Sequence, residues 1–545
     1  MRLTQTSELW WKNAIVYCLD IETFADGNGD GIGDFRGAIQ HIDHLDRIGV
    51  TCIWLMPFFP TPDKDDGYDI VDFYSVDPRL GTLGDFVEFM RVARDRGIRV
   101  IADLVVNHTS DQHPWFKDAR SSRDSKHRDW YIWSDEPEPD DPKGVVFPDQ
   151  EDSLWEYDEK TEQYYFHRFY KFQPDLNTSN PEVRDEIARI LGFWMELGLS
   201  GFRVDAVPFL VERVLENDDN FPDPHLFFAD LRAFMNRRDG SAMLLGEVNL
   251  PYEDLMAYFG DTPLGNEITM CFDFIGMQRM YLSLAREDAT PLAEALRERP
   301  APPKDSQWAS FVRNHDELTL DKLTESEREE VFAAFAPEED MRIYDRGIRR
   351  RLPPMLDGDQ RRIRMVYSLL FALPGTPVLF YGEEIGMGEN LAIEGRQSVR
   401  TPMQWTSGRH AGFSDVEPAI PLVEGDFGPS QISVSAQRRD PESLLSWIGR
   451  LVEQYREAPE LAWGGYEVLD GGDDAVLAIR NEGIVTLHNF AGRPASVTLE
   501  IDEEGKVLAD LFSEDVVEIK DGRAVVEVED YSCRWFRLSD PETAP

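Results

Sequence analysis

The chain is poor in cysteine, has no long apolar run and is short of positive charge. Four cysteines in 545 residues cannot staple a chain of this size, and none of Cys18, Cys52, Cys271 and Cys533 has a neighbour at metal-ligand spacing. A disulfide scaffold and a zinc module are thereby excluded, and buried free thiols are expected. No stretch approaches the roughly 18 apolar residues of a membrane span. The opening Met1-Arg-Leu-Thr-Gln-Thr-Ser-Glu-Leu-Trp-Trp11 has no apolar stretch of signal-peptide type. A cytoplasmic protein with no membrane partner is expected. Lys and Arg number 56 against 103 Asp and Glu, a net charge of −47, which argues against nucleic acid as a partner and is easier to reconcile with a neutral substrate. The acidic residues are spread along the chain, a pattern compatible with a salt-adapted proteome.

What the chain does have is apolar content of 42%, enough for a large barrel with one or two satellites. Strand-like runs recur with helical segments between them, the pattern of a parallel sheet built from β-α units. Eight barrel strands are predicted near Ala14–Asp20, Val50–Met56, Arg99–Val106, Gly201–Val207, Met243–Val248, Met270–Phe274, Trp308–Arg313 and Pro377–Tyr381. Phe86, Phe89, Met90 and Ala93 recur at helical spacing between Leu83 and Asp95, with Gly97 as a stop.

Two insertions interrupt this rhythm. The stretch from His108 to Asn177 is too long for a plain loop and reads as a subdomain over the barrel mouth, with Trp115, Trp155, Tyr164, Tyr165, Phe169 and Tyr170 as core or sugar-stacking aromatics. The charged stretch from Thr319 to Gln360, helical over Glu325–Phe335 and basic over Arg346–Arg351, reads as a mobile lid or a solvated helical excursion. A last barrel helix is expected over Glu442–Arg456, followed by short strands and turns such as Asp521-Gly522. The expected organisation is an α/β fold: a (β/α)8 TIM barrel over 1–107 and 178–459, an inserted subdomain over 108–177, a lid insertion over 319–360 and a C-terminal β-sandwich over 460–545.

Three carboxylates close predicted strands: Asp205 in Gly201-Phe-Arg-Val-Asp205, Glu247 in Leu244-Leu-Gly-Glu247 and Asp316 in Arg313-Asn-His-Asp316. The carboxyl-end rim of such a barrel is where catalytic residues collect. Retaining chemistry at a sugar acetal needs one carboxylate as nucleophile and one as acid/base across the anomeric carbon, and residues on neighbouring strand ends can meet that geometry. Arg203, two residues before Asp205, shares its side of the strand, where its charge is expected to hold Asp205 ionised.

These segments resemble the α-amylase superfamily, glycoside hydrolase family 13. The resemblance rests on Asp103-Leu-Val-Val-Asn-His-Thr109, Gly201-Phe-Arg-Val-Asp205, Gly246-Glu247, Asn314-His-Asp316 and Gln173-Pro-Asp-Leu-Asn177. It implies Asp205 as nucleophile, Glu247 as acid/base and Asp316 as the carboxylate gripping the sugar hydroxyls, with Arg203, His108 and His315 as further sugar contacts. Asp65-Asp-Gly-Tyr68 and Arg400-Thr-Pro-Met-Gln-Trp405 resemble the exo-acting group, in which the equivalents of Asp65 and Arg400 pair to close the pocket behind one glucosyl unit. Ala206 stands where relatives acting on α-1,6 bonds usually carry Val, which points to α-1,4 substrates. Asp205-Ala-Val-Pro-Phe-Leu210, Gly347-Ile-Arg-Arg-Arg-Leu-Pro-Pro354 and Tyr381-Gly-Glu-Glu-Ile-Gly-Met-Gly388 are similar to the branch that interconverts maltose and trehalose. Val248-Asn-Leu-Pro251 and Phe272–Gly276 depart from that branch on the acceptor side. The implied activity is maltose–trehalose interconversion, the alternatives being an α-1,4-glucosidase, another small-sugar α-glucosyltransferase, or a non-catalytic family-13-like partner protein. Homo-oligomerisation stays open.

Asp26, Asn28, Asp30, Ile32 and Asp34 offer oxygens at alternate positions of a glycine-rich loop. This suits Ca²⁺ better than Mg²⁺; the other reading is a surface turn. The resemblance implies a second Ca²⁺ site at Asn107, Asp175 and Glu212 with the carbonyls of Phe209 and Leu210. No organic cofactor is expected.

The charge imbalance carries its own prediction. Raising salt from about 0.01 M to 1 M shortens the Debye length from about 30 Å to 3 Å, so the melting temperature should rise across that range. A flat or falling trend would remove the salt-adaptation reading.

Overall fold

In the computed structural model the described residues are 9–137, 144–147, 150–211, 224–503 and 505–541. Eight parallel strands close into a barrel: β1 (Val16–Leu19), β2 (Cys52–Leu55), β3 (Arg99–Leu104), β4 (Gly201–Val204), β5 (Met243–Gly246), β6 (Met270–Phe272), β7 (Gln307–Phe311) and β8 (Thr376–Phe380). Each pairs with its sequence neighbours, and β8 returns to β1 through Val16–Val378. The strands are buried almost throughout, because helices cover one face and barrel side chains fill the other. All eight fall within the expected runs or one residue of them. The expected helix after β2 spans Leu83–Asp95, opened by a capping box between Thr82 and Asp85 and followed by Gly97 at φ 73°.

The insertion after β3 carries a short helix, Pro114–Ala119, and a three-stranded antiparallel sheet of Trp133–Ser134, Gln163–Phe166 and Trp155–Asp158. Its aromatics divide by role. Tyr165 is buried, Trp115 packs on Phe73 and Trp130, and Trp155 meets Phe166. Tyr164 pairs with the exposed Tyr157. Phe169 and Tyr170 instead turn toward His108, Phe209 and Phe147.

The second insertion packs one face of its helix inward. Its helix, Glu325–Phe335, buries Val331, Phe332 and Phe335 and pairs Glu327 with Arg279 and Glu330 with Arg286, both at 2.7 Å. A small antiparallel sheet of Leu318–Thr319, Gly347–Ile348 and Arg342–Ile343 then brings Tyr344 within 5.0 Å of the Phe147 ring. The Arg346 guanidinium donates to the Val146 carbonyl at 2.9 Å, so the two insertions meet.

After the last barrel helix, Leu444–Glu457, the C-terminal region forms a six-stranded antiparallel sheet against the pair Ala495–Glu500 and Arg523–Val528. Alternating burial along both strands of that pair sends Val497, Leu499, Ala524 and Val526 into the shared core. The sheet is keyed to the barrel by Ser368, whose hydroxyl lies 3.0 Å from His488 and accepts from the Trp535 indole at 2.9 Å. All four cysteines are free thiols. No helix among the described residues is long and apolar enough to cross a membrane.

Candidate active site

Parallel pairing puts Asp103 of β3 level with Arg203 of β4. Arg203 is fully buried, and its guanidinium gathers three carboxylates. One terminal nitrogen donates to Asp103 at 2.7 Å and to Asp205 at 2.5 Å, and the other lies 2.9 Å from Glu247. Asp103 is sealed at 0% exposure and held by the Trp54 indole, whereas the Asp205 and Glu247 side chains keep 12% and 23%. The latter two therefore face the pocket while Asp103 serves the guanidinium from behind.

Burial dominates the titration of this cluster. It raises Asp205 to about 6, with Arg203 partly offsetting it in the direction that favours the ionised carboxylate. Burial and the Asp205 charge raise Glu247 to about 7 against the pull of Arg203. Ala206 adopts φ 49°, unusual for a residue with a side chain. In that conformation its N–H reaches Glu247 at 3.1 Å, coupling the backbone beside Asp205 to the neighbouring strand end.

Asp316 arrives from the end of β7. His315 Nε2 lies 3.3 Å from it and 2.6 Å from the Tyr68 hydroxyl, and Tyr68 also reaches Asp103 at 3.2 Å. His108 meets the Tyr68 carbonyl at 3.1 Å. These predicted residues are thus brought together. Two arginines converge on Asp316, Arg396 at 2.5 Å and Arg400 at 3.2 Å. Burial by itself would raise Asp316, but His315, Arg396 and Arg400 outweigh it and hold the carboxyl well below the usual range. Since burial drives His315 toward its neutral form, the two guanidiniums are what keep Asp316 ionised.

The expected Asp65–Arg400 pair is not the one formed. Arg400 pairs with Asp66, while Asp65 lies 3.4 Å from Arg396 and accepts from Gln173 at 2.8 Å. Arg400 also donates through Nε to the His315 carbonyl at 2.9 Å, which aims its remaining nitrogens at Asp66 and Asp316. Arg396 and Asp66 escaped the sequence reading. No local signal was available, because a spacing of four does not repeat the three-residue turn of the 3-10 helix Gly395–Val399 that carries Arg396 and ends at Arg400.

The metal expectations fare differently at the two sites. In the Asp26–Asp34 loop, Asp26 accepts from the N–H groups of Asn28, Gly29 and Gly31 and from Ser414, and Asp30 from Ile32. Asp34 caps the helix Phe35–Ile48 through one oxygen and leaves the other, Oδ2, buried without a partner. That orphan oxygen in an all-oxygen donor set fits a hard cation. At the second site Asn107 and Asp175 are both buried, on segments bridged through His108 and Asp175, but the Leu210 carbonyl accepts from Thr178 at 2.7 Å and Glu212 lies outside the described residues. Among the described residues the group of acidic side chains with metal-like spacing is a different one, Glu22, Asp63 and Asp66. Arg79, 2.5 Å from Asp63 and 3.4 Å from Glu22, and Arg400 meet its charge.

The pattern of the alpha-amylase catalytic domain matches residues 21–335 and 349–464, and the chain belongs to that family. It is a barrel enzyme of the α-glucosyl transferase and glucosidase class. It is 39% identical to the trehalose synthase of Pimelobacter sp. (strain R48), over 98% of this chain and 96% of that one. It is 38% identical to the trehalose synthase/amylase TreS of Mycolicibacterium smegmatis, over 100% and 95%. Among solved structures, the trehalose-6-phosphate hydrolase of Bacillus licheniformis superposes with a TM-score of 0.80 at 27% identity, covering 97% of this chain and 100% of that one.

Arg203 supplies the positive charge beside three largely buried carboxylates, so Arg203→Met should cost about 3–5 kcal/mol at neutral pH. Without the guanidinium, Asp103, Asp205 and Glu247 titrate above their present values of about 6, 6 and 7. The deficit should therefore be full only above the variant's raised values, shrink as pH falls from those toward the present ones, and be smallest once pH lies below the present ones. Urea unfolding at pH 5 and pH 8 checks this; an equal deficit at both would rule it out.

Proposed function

We propose that the chain converts maltose into trehalose and back by retaining α-glucosyl transfer, with some hydrolysis. The observation that carries the reading is Asp205 and Glu247 on adjacent strand ends, held by opposite nitrogens of one guanidinium. Near-full-length similarity to trehalose synthases supports the choice of sugars.

In this reading an Asp205 oxygen attacks the anomeric carbon of the non-reducing glucosyl unit. As the bond from that carbon to the glycosidic oxygen breaks, the Glu247 carboxyl delivers its proton to that oxygen, releasing glucose and leaving a glucosyl ester on Asp205. The released glucose turns. Its anomeric hydroxyl then attacks the anomeric carbon of the bound glucosyl unit, the bond from that carbon to the Asp205 oxygen breaks, the hydroxyl proton returns to Glu247, and Asp205 leaves as the carboxylate. Asp205 raised only to about 6 and Glu247 to about 7 suit these duties, one ionised and one still largely protonated just below neutrality. Asp316, kept anionic by Arg396 and Arg400, grips the glucosyl hydroxyls and favours the cationic ring of the transition state. Tyr68, His108 and His315 complete the walls, and Asp65 and Asp66 close the floor through the same two arginines. The protein is read as cytoplasmic, which its four free thiols support.

We also propose Ca²⁺ at Asp26, Asn28, Asp30, the Ile32 carbonyl and Asp34, supported by the partnerless Asp34 oxygen. Bound there it would supply charge neutralisation and hold the loop; it takes no part in the chemistry.

With maltose as sole substrate, trehalose should appear at early times in excess of free glucose, and trehalose should return maltose. Asp205→Asn, Glu247→Gln and Asp316→Asn should each lower turnover at least about 10²-fold. Release of two glucose per maltose with no trehalose at any time would make the protein an α-glucosidase instead. For the metal, Ca²⁺ at 100 times its dissociation constant should stabilise the fold by about 2.7 kcal/mol, and Asp30→Ala should weaken that response. A melting temperature indifferent to both chelator and added Ca²⁺, with metal analysis excluding a retained ion, would reject the site.

A further inference from the structure

Arg396 and Arg400 are carried by a segment, residues 389–400, with little regular structure of its own. Its only helical stretch is the five-residue 3-10 turn Gly395–Val399. Loops of this kind place side chains loosely unless their backbone is fixed from outside. Here the fixing comes from the Arg349-Arg350-Arg351 run within the Gly347–Pro354 motif, to which the catalytic reading gives no role.

Arg351 is buried to 1% exposure and lies over the rings of Phe380 and Tyr381. Its guanidinium grips the Val399 carbonyl twice, through Nε at 3.0 Å and a terminal nitrogen at 2.7 Å, and spends the third nitrogen on the Tyr381 carbonyl at 2.8 Å. It thus ties the peptide preceding Arg400 to the end of β8. Arg349 takes the carbonyls of Leu391, at 3.0 Å, and Ile393, and exchanges contacts with Ser398, whose hydroxyl donates to the Arg349 carbonyl at 3.0 Å. Arg350 and the Arg351 N–H both bind Glu389 at 2.9 Å, fixing the start of the segment. Arg313, buried at 1%, closes the frame by donating to the carbonyls of Arg350 and of Asp316 itself, the latter at 2.5 Å. Arg313 and Arg351 each direct their side-chain hydrogen bonds to backbone carbonyls. Each is a planar fork used to hold main chain.

We propose that Arg349 and Arg351 are positioning residues that set where Arg396 and Arg400 stand against Asp316, Asp65 and Asp66, and through them decide how well the pocket excludes water from the glucosyl intermediate. The inference rests on the interconversion reading above. A lysine keeps the charge but cannot span Val399 and Tyr381 in the same way. A displacement of 1 Å can cost about 10²-fold in a reaction that depends on orientation.

The test measures the glucose-to-trehalose product ratio from maltose for Arg351→Lys, Arg349→Lys and the milder Ser398→Ala. A variant that is merely less stable loses both products together and keeps the wild-type ratio. Displaced arginines instead raise the ratio, by about tenfold or more for Arg351→Lys on the orientation argument and in the same direction for the other two. Wild-type ratios in all variants that fold, with trehalose still formed, would overturn the proposal, and Ser398→Ala decides if neither lysine variant folds. If the wild-type protein releases only glucose, the interconversion reading fails. The clamp is then judged on KM for maltose, which rises about tenfold if the arginines move and stays unchanged if they do not.

Discussion

A single buried cation organises the centre of this molecule. Arg203 has no contact with solvent, yet it carries a charge that low-dielectric surroundings would make prohibitive if unpaired. Its three carboxylate neighbours remove that cost, and in return it allows Asp205 and Glu247 to stand close together at a strand rim. Parallel register makes this possible, because Asp103 and Arg203 face each other across adjacent strands. The left-handed Ala206 belongs to the same arrangement, its N–H donating to Glu247 at 3.1 Å.

Around Asp316 the logic is reversed. There one carboxylate is shared by two guanidiniums, and their second attachments run outward to Asp65 and Asp66. The nucleophile and acid/base candidates are left near neutrality by burial, while the third carboxylate is driven firmly anionic. Neighbouring groups with separated titration behaviour can hold different protonation states at one pH, which two-step glucosyl transfer requires.

The two insertions supply what the barrel lacks. The bare rim of eight strands would leave a sugar ester open to water. Phe147 and Tyr170 from one insertion and Tyr344 from the other meet beside Arg396, which also lies over the Phe147 ring at 5.2 Å. Arginine dominates these connections because a planar fork can bind several carbonyls or carboxylates at once.

The sequence by itself determined the barrel, because eight apolar runs with helical segments between them have few other ways to bury both faces. It also determined the three strand-end carboxylates and the Arg203 beside them, since residues two apart on a strand must share a side. The helix after β2 was legible for a similar local reason, in the spacing of Phe86, Phe89, Met90 and Ala93 and the stop at Gly97. What only the tertiary structure decided were partnerships among residues distant in the chain. Asp65 and Asp66 are neighbours in sequence and chemically equal, so nothing local could say which would meet Arg400, some 334 positions away. Arg396 carried no local signal, and the Arg349–Arg351 run read only as part of the basic stretch Arg346–Arg351 of the second insertion. Only the packing of the Arg349–Arg351 run against the 389–400 segment and the end of β8 gave these forks their partners, because a guanidinium's partners are chosen by which carbonyls and carboxylates the fold brings within reach.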